Sequence, residues 1–301
     1  MKRCILFISM LLVLTFQFEN SAFADSDDAT APSVNEKFGV PIVVYGETLT
    51  TEQKNQVRKL LEVDDPEAVE EITVTAEDLV KYIEGSNPNS RMFSSAKIVR
   101  KEQGEGLVIN IISADNITEV TSEMYANALI TAGVENALVE VASPVKVSGH
   151  SALTGIYKAY EVSGETLNKD RMEVANEELN IATKLADQAG LDKEKASELL
   201  TEIKKAIAKQ NPATREEVEK IVTEQLQGLN ISLNEQDKKL LIDLFDKIRS
   251  LDINFDNVGQ QLEDITVDIK NKIDKVIDNK GFWQGVADFV NNVVSFLKGL
   301  F

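Results

Sequence analysis

From Leu167 onward, apolar residues recur three and four positions apart in four successive segments, each bounded by a helix-ending signal. That spacing gives every helix one apolar stripe and a charged back. Met172, Ala175, Leu179, Ala182, Ala186 and Ala189 line the first, which Gly190 ends. Ala196, Leu199, Leu200, Ile203 and Ile207 line the second, and Asn211-Pro212 breaks it. Thr214 and Glu217 open the third in capping-box spacing, ahead of Val218, Ile221, Val222 and Leu226. Ser232 and Glu235 open the fourth in the same way, with Leu240, Leu241, Leu244, Phe245 and Ile248 inward. Helices of this length depend on burying the stripe, so the spacing predicts a bundle over residues 166–250.

Upstream the period changes. "VPIVVYG" reads as a strand, and "LTTEQKNQVRKLL" as a helix with a Thr50/Gln53 box. "EITVT" is a second strand, and "AEDLVKYIEG" a short helix stopped by Gly85. "SSAKIVRKEQGEGLVINIIS" places two β-rich runs around "EQGEG", which predicts a hairpin. A helix to Gly133, the strand "NALVEVAS" and a last helix complete the segment. Strands and helices in this order predict an α+β fold, a mixed α/β domain over residues 38–165 followed by the bundle. Residues 39–84 and 106–161 share the order strand, helix, strand, helix and end in "KYIE" and "KAYE", which suggests an internal duplication.

At the N-terminus, Lys2 and Arg3 precede an apolar run to Phe16, and Ala22-Phe23-Ala24 follows. These are the parts of an export signal over residues 1–24, with cleavage predicted after Ala24 and a secreted or extracytoplasmic product. Residues 25–37 read as a flexible acidic linker. Cys4 is the only cysteine and leaves with the signal, which excludes disulfides, thiolate metal sites and cysteine nucleophiles. Loss of Lys2, Arg3 and Glu19 takes the net charge from −18 to −19. Such a charge argues against nucleic acid as a partner and repels anionic polymers at long range.

"VSGHSALTG" contains the single histidine, His150, between Ser148 and Ser151. As a nucleophile elbow it lacks the second glycine, where Leu153 stands, and it lacks a histidine later in the chain. As a turn before a helix it is well formed, with Gly149 in the turn and Ser151 as N-cap. A helix start also offers free N–H groups, making Ser148, Gly149 and Ser151 anion-binding candidates. In "DINFDNVGQQLE", Asp252, Asn254, Asp256 and Glu263 occupy four of the ligand positions of a calcium loop, although Asn257 replaces its glycine. No phosphate-loop or dinucleotide motif is present and no cofactor is implied; catalytic residues are not assigned.

Residues 251–301 read as an amphipathic helical tail. Within "GFWQGVADFVNNVVSFLKGLF", Phe282, Trp283, Val286, Phe289, Val290, Val293, Phe296 and Leu297 form a wide apolar surface beside one polar stripe. A surface of that kind is covered by its own chain, by a second copy, or by a membrane interface of the cell envelope.

"VPIVVYGETLTTEQ", "AGVENALVEVASPVKVSGHSALTGIYKAYE" and the helical remainder together resemble the YpuA-like family of exported proteins, a domain of unknown function in Gram-positive, often spore-forming, bacteria. The resemblance covers about residues 35–250. It implies an extracytoplasmic protein and brings no site residues with it. The expectation is a non-enzymatic interaction or structural protein of the cell exterior. The alternatives are a hydrolase or carboxylate-based enzyme using the SGHS turn, and a calcium-linked assembly protein.

Overall fold

The computed structural model describes residues 38–188, 191–251, 253, 254, 259 and 261–265. Its α/β part runs β1 (Ile42–Gly46), α1 (Thr51–Leu60), β2 (Glu70–Val74), α2 (Ala76–Tyr82), β3 (Ser95–Arg100), β4 (Leu107–Ile111), α3 (Ser122–Ala132), β5 (Ala137–Ala142) and α4 (Ser151–Val162). The Thr50/Gln53 box opens α1 as its sequence requires, and Thr75 with Asp78 does the same for α2. The strands form one mixed sheet in the order β2-β1-β3-β5-β4. β1 and β2 are parallel, β4 and β5 are parallel, and β3 runs antiparallel to β1 and β5 between the two pairs. The fold is α+β.

The predicted hairpin of β3 and β4 does not form, because β5 lies between them. The burial pattern explains the choice: alternate residues of β4 stay open, as suits an edge, whereas β5 buries Ala137, Val139, Val141 and Ala142. The "EQGEG" loop is tied across this gap to the start of β5. Asn136 Oδ1 accepts from Gly104 N at 2.9 Å and from Gly106 N at 3.0 Å.

The crossovers β1-α1-β2 and β4-α3-β5 both step toward the β2 edge between strands of one direction. Yet α1 packs Val57 and Leu61 on Val43 and Tyr45, while α3 packs on the opposite face with Val139 and Ile109. The two crossovers therefore have opposite hands, and one is the left-handed form that parallel connections rarely take. Similar element order in the sequence is not repetition in space.

Next in the chain come α5 (Lys169–Gln188), α6 (Lys193–Gln210), α7 (Arg215–Gly228) and α8 (Glu235–Ser250). Their stripes meet as the spacing requires, and Ala175, Leu199, Val218 and Phe245 are all buried in one core. That core is continuous with the sheet face under α3 and α4, since α5 packs along α3. At α8 the cap is Asn234 instead of Ser232: its backbone is extended and its side chain accepts from Asp237 N at 2.8 Å.

On the second face, Glu71 of β2 accepts from Arg58 Nε at 2.7 Å and from Tyr45 Oη at 2.7 Å. The hydrogen bond from Arg58 is the main reason its carboxyl falls to about 2 from 4.5. A carboxylate with a depressed folded value stabilises above its unfolded value and stops doing so as pH falls through the folded one. We expect Glu71→Gln to lower stability by about 1–2 kcal/mol at neutral pH, after discounting for solvent screening of a partly exposed group. Urea midpoints of the two proteins should converge as pH falls from 4.5 toward 2.

Candidate functional site

β1, β2, β4 and β5 all run in one direction, so their C-terminal ends open on one rim of the sheet, where α/β folds commonly bind ligands. The loop from β5 to α4 is fixed there by the 113–120 segment. Val147 N donates to Asn116 O at 2.8 Å, and Thr118 N donates to Val147 O at 2.9 Å. Gly149 then turns the chain with φ +110°. A side chain at this position would meet Tyr125 Oη at 2.7 Å and Ile117 Cγ2 at 2.8 Å, and Tyr125 Oη donates to Gly149 O at 2.6 Å. Only glycine satisfies both the left-handed backbone and the close approach.

Ser148, Gly149 and Ser151, the predicted anion-binding residues, share one wall of a cleft of about 440 Å³. The segment before β3 supplies Ser90, Arg91 and Phe93, and Lys146 stands in the β5–α4 loop. Among the lining residues there is no carboxylate, although the chain carries 50 acidic residues against 32 basic ones. Neither Arg91 nor Lys146 enters an ion pair among the described residues, and Arg91 lies 5.7 Å from the Phe93 ring centroid. In the first turn of α4, Ala152 N donates to Gly149 O at 3.1 Å and Leu153 N to His150 O at 3.2 Å.

Ser151 is not the N-cap expected from sequence. His150 occupies that position with helical angles, φ −54° and ψ −35°, and no side chain caps the helix. A capping hydroxyl needs an extended backbone, which neither residue adopts, because the helical conformation begins at His150.

The imidazole of His150 bridges two hydroxyls. Nδ1 is 3.1 Å from Ser148 Oγ and Nε2 is 3.3 Å from Thr183 Oγ1. Thr183 Oγ1 is also 3.1 Å from the carbonyls of Leu179 and Asn180, so its single proton goes to the backbone and Nε2–H donates to it. Nδ1 is thereby left to accept from Ser148. Burial lowers the His150 pKa against a smaller opposing pull from Glu119, 4.0 Å away at Nδ1. In a hydrolase triad the carboxylate holds Nδ1 and the serine meets Nε2; here the serine is at Nδ1 and Nε2 meets the Thr183 hydroxyl, with no carboxylate bonded to either nitrogen.

The other predicted residues lie elsewhere. Asp252 and Asp256 are outside the described residues, Asn254 is exposed, and Glu263 Oε2 pairs with Lys205 Nζ at 2.7 Å. Among the described residues no group of three or more His, Cys, Asp or Glu is placed to hold a metal. The apolar tail residues Phe282, Trp283, Val286, Phe289, Val290, Val293, Phe296 and Leu297, with the signal and the acidic linker, lie outside the described residues. No described helix is long and apolar enough to cross a membrane.

Sequence reasoning missed a buried polar cluster between α3, α5 and α6. Lys204, fully buried, donates to Glu178 Oε1 and Oε2 at 2.7 and 2.9 Å, to Thr131 Oγ1 at 2.8 Å and to Asn127 O at 2.8 Å. Burial pulls its ammonium below the ordinary lysine value. Arg171 caps the end of α3 beside it, donating to Thr131 O at 2.7 Å and Ile130 O at 3.0 Å. The signal was present in the sequence, since Lys204 interrupts the stripe of Leu200, Ile203 and Ile207.

A family profile described as "Protein of unknown function (DUF1002)" matches residues 45–265. The chain is also similar to "Uncharacterized protein YpuA" of Bacillus subtilis (strain 168), with 38% identity over 273 residues that cover 86% of this chain and 90% of that protein. No solved structure matches it. The profile takes in the sheet, the cleft and the helices together, and on these two matches the chain belongs to the DUF1002 family of proteins of unknown function.

Proposed function

We propose that this is an exported, non-enzymatic interaction protein whose cleft at the strand ends receives an anionic group of its partner. The observation that carries this reading is the lining itself: Arg91 and Lys146, outside any ion pair among the described residues, with the hydroxyls of Ser90 and Ser151 and no carboxylate, in a chain of net charge −18. Cations without an ion pair among the described residues supply local attraction in so acidic a molecule, and the two hydroxyls add donors. The surrounding negative field disfavours highly charged polymers, so a ligand with one carboxylate or phosphate group fits best. Export rests on the leader and its predicted cleavage after Ala24.

The test uses the chain from Asp25 and thermal unfolding with inorganic phosphate, sulfate or a simple carboxylate. Ligand at about one hundred times its Kd adds about 2.7 kcal/mol to the folded state. We expect at least one anion to raise the melting temperature, and Arg91→Gln with Lys146→Gln to abolish the rise. Equal shifts in the parent and the double variant would reject the cleft. The bond between Ser148 and His150 favours one competing reading, a hydrolase. Ester or amide turnover lost in Ser148→Ala would establish it.

A further inference from the structure

Half of one sheet face has no covering helix among the described residues. α1 reaches over β1 and β2, where Lys97 marks the limit of its cover by donating to Leu61 O at 2.8 Å and pairing with Glu140 at 2.9 Å. Beyond that pair, Val99 of β3, Leu138 of β5 and Val108 of β4 stand in one cross-strand row. None of the three belongs to either apolar cluster. Val108 is 41% exposed, and Ile112, just past β4, is 39% exposed. An apolar row across three strands on an open face is a surface that normally meets a partner.

Where the described chain stops indicates which partner. Gln261, Asp264 and Ile265 line a cleft of about 220 Å³ with Val108 and Asn110 of β4 and with Ser122 and Ala126 of α3, and Leu262 and Ile265 are buried in the core that α3 covers, so the last described residues reach the β4 edge from the side opposite the open face. Residues 266–280 span up to about 50 Å when extended, more than enough to pass around one strand. They lead directly to the apolar surface of residues 281–301, whose polar stripe contains the single cation Lys298. A membrane-surface helix is usually rich in cations on that side.

We propose that residues 281–301 dock on the uncovered half of the sheet, with Val99, Val108 and Leu138 as the floor. The segment and the face each remove from water what the other leaves exposed, and tethering at the β4 edge raises their effective concentration over that of a second copy. This inference stands apart from the reading of the cleft, which lies at the strand ends.

Trp283 is the only tryptophan in the chain, so its fluorescence reports the segment without labelling. In the protein from Asp25 to Phe301, Trp283 should be shielded from acrylamide and the protein should elute as a monomer. Val108→Asp, a change at an exposed position, should raise the undocked fraction at least about tenfold, read as stronger quenching and a red-shifted emission. Val80→Asp on α2, 40% exposed, is the control and should change neither. Circular dichroism confirms that both variants fold. Quenching unaffected by Val108→Asp overturns the proposal. Shielding that depends on protein concentration would assign the segment to a second copy, and shielding that appears only with lipid vesicles would assign it to a membrane; both overturn it.

Discussion

Lys204→Met should lower the free energy of unfolding by about 3–5 kcal/mol, because it strands the Glu178 carboxylate in the core. Glu178 is 1% exposed and Lys204 fully buried, so water cannot replace the lost ammonium. The loss exceeds what a deleted surface pair would give, which is about 1 kcal/mol or less. Removing both charges tests the cause. Lys204→Met combined with Glu178→Leu should recover most of the stability, since apolar residues of similar volume often replace a buried pair without cost. Urea denaturation of the parent, both single variants and the double variant closes the cycle, and a double variant as weak as Lys204→Met would show that packing, not charge, sets the penalty.

Gly46→Ala is expected to be as severe for a different reason. A methyl group there would lie 2.2 Å from Met92 O, 2.5 Å from Met92 C and 2.8 Å from Phe93 N. These are backbone atoms and cannot rotate aside, and Thr48 holds them from both sides: its N donates to Met92 O at 3.0 Å, and its Oγ1 accepts from Met92 N at 2.9 Å. We expect a loss of about 3 kcal/mol or more, with the 90–94 segment displaced from the cleft. Gly228→Ala meets nothing within 4 Å and should be neutral or stabilising by up to about 1 kcal/mol. Thermal unfolding separates the two, and the Arg91-dependent response to anions should fall in Gly46→Ala alone.

Features governed by neighbours in the chain were legible. The stripes of α5 to α8, the boxes at Thr50 and Thr214 and the break at Asn211-Pro212 follow from spacing and side-chain reach, and the structure has them, save that Ala189 and Gly190 at the end of the first stripe lie outside the described residues. What failed needed distant partners. The β3–β4 hairpin was locally reasonable, and only Asn136, beyond α3, accounts for how the loop at Gly104 and Gly106 is held open for β5. The cap of α8 was misplaced by two residues because Ser232 and Asn234 each have an acid three positions on. In the candidate site the SGHS turn was visible, whereas Arg91 joins it only because β3 starts beside the end of β5. Thr183, which fixes the tautomer of His150, comes from a helix with no sequence link to the turn.

The position of β5 also sets an order of assembly. It is the last strand among the described residues, yet it fills the gap between two strands that precede it. Until residue 142 has been synthesised, β3 has one unzipped edge and β4 has no strand to pair with. Closing that gap depends on contacts distant along the polypeptide, which places a slow, association-prone step early in the life of the nascent chain.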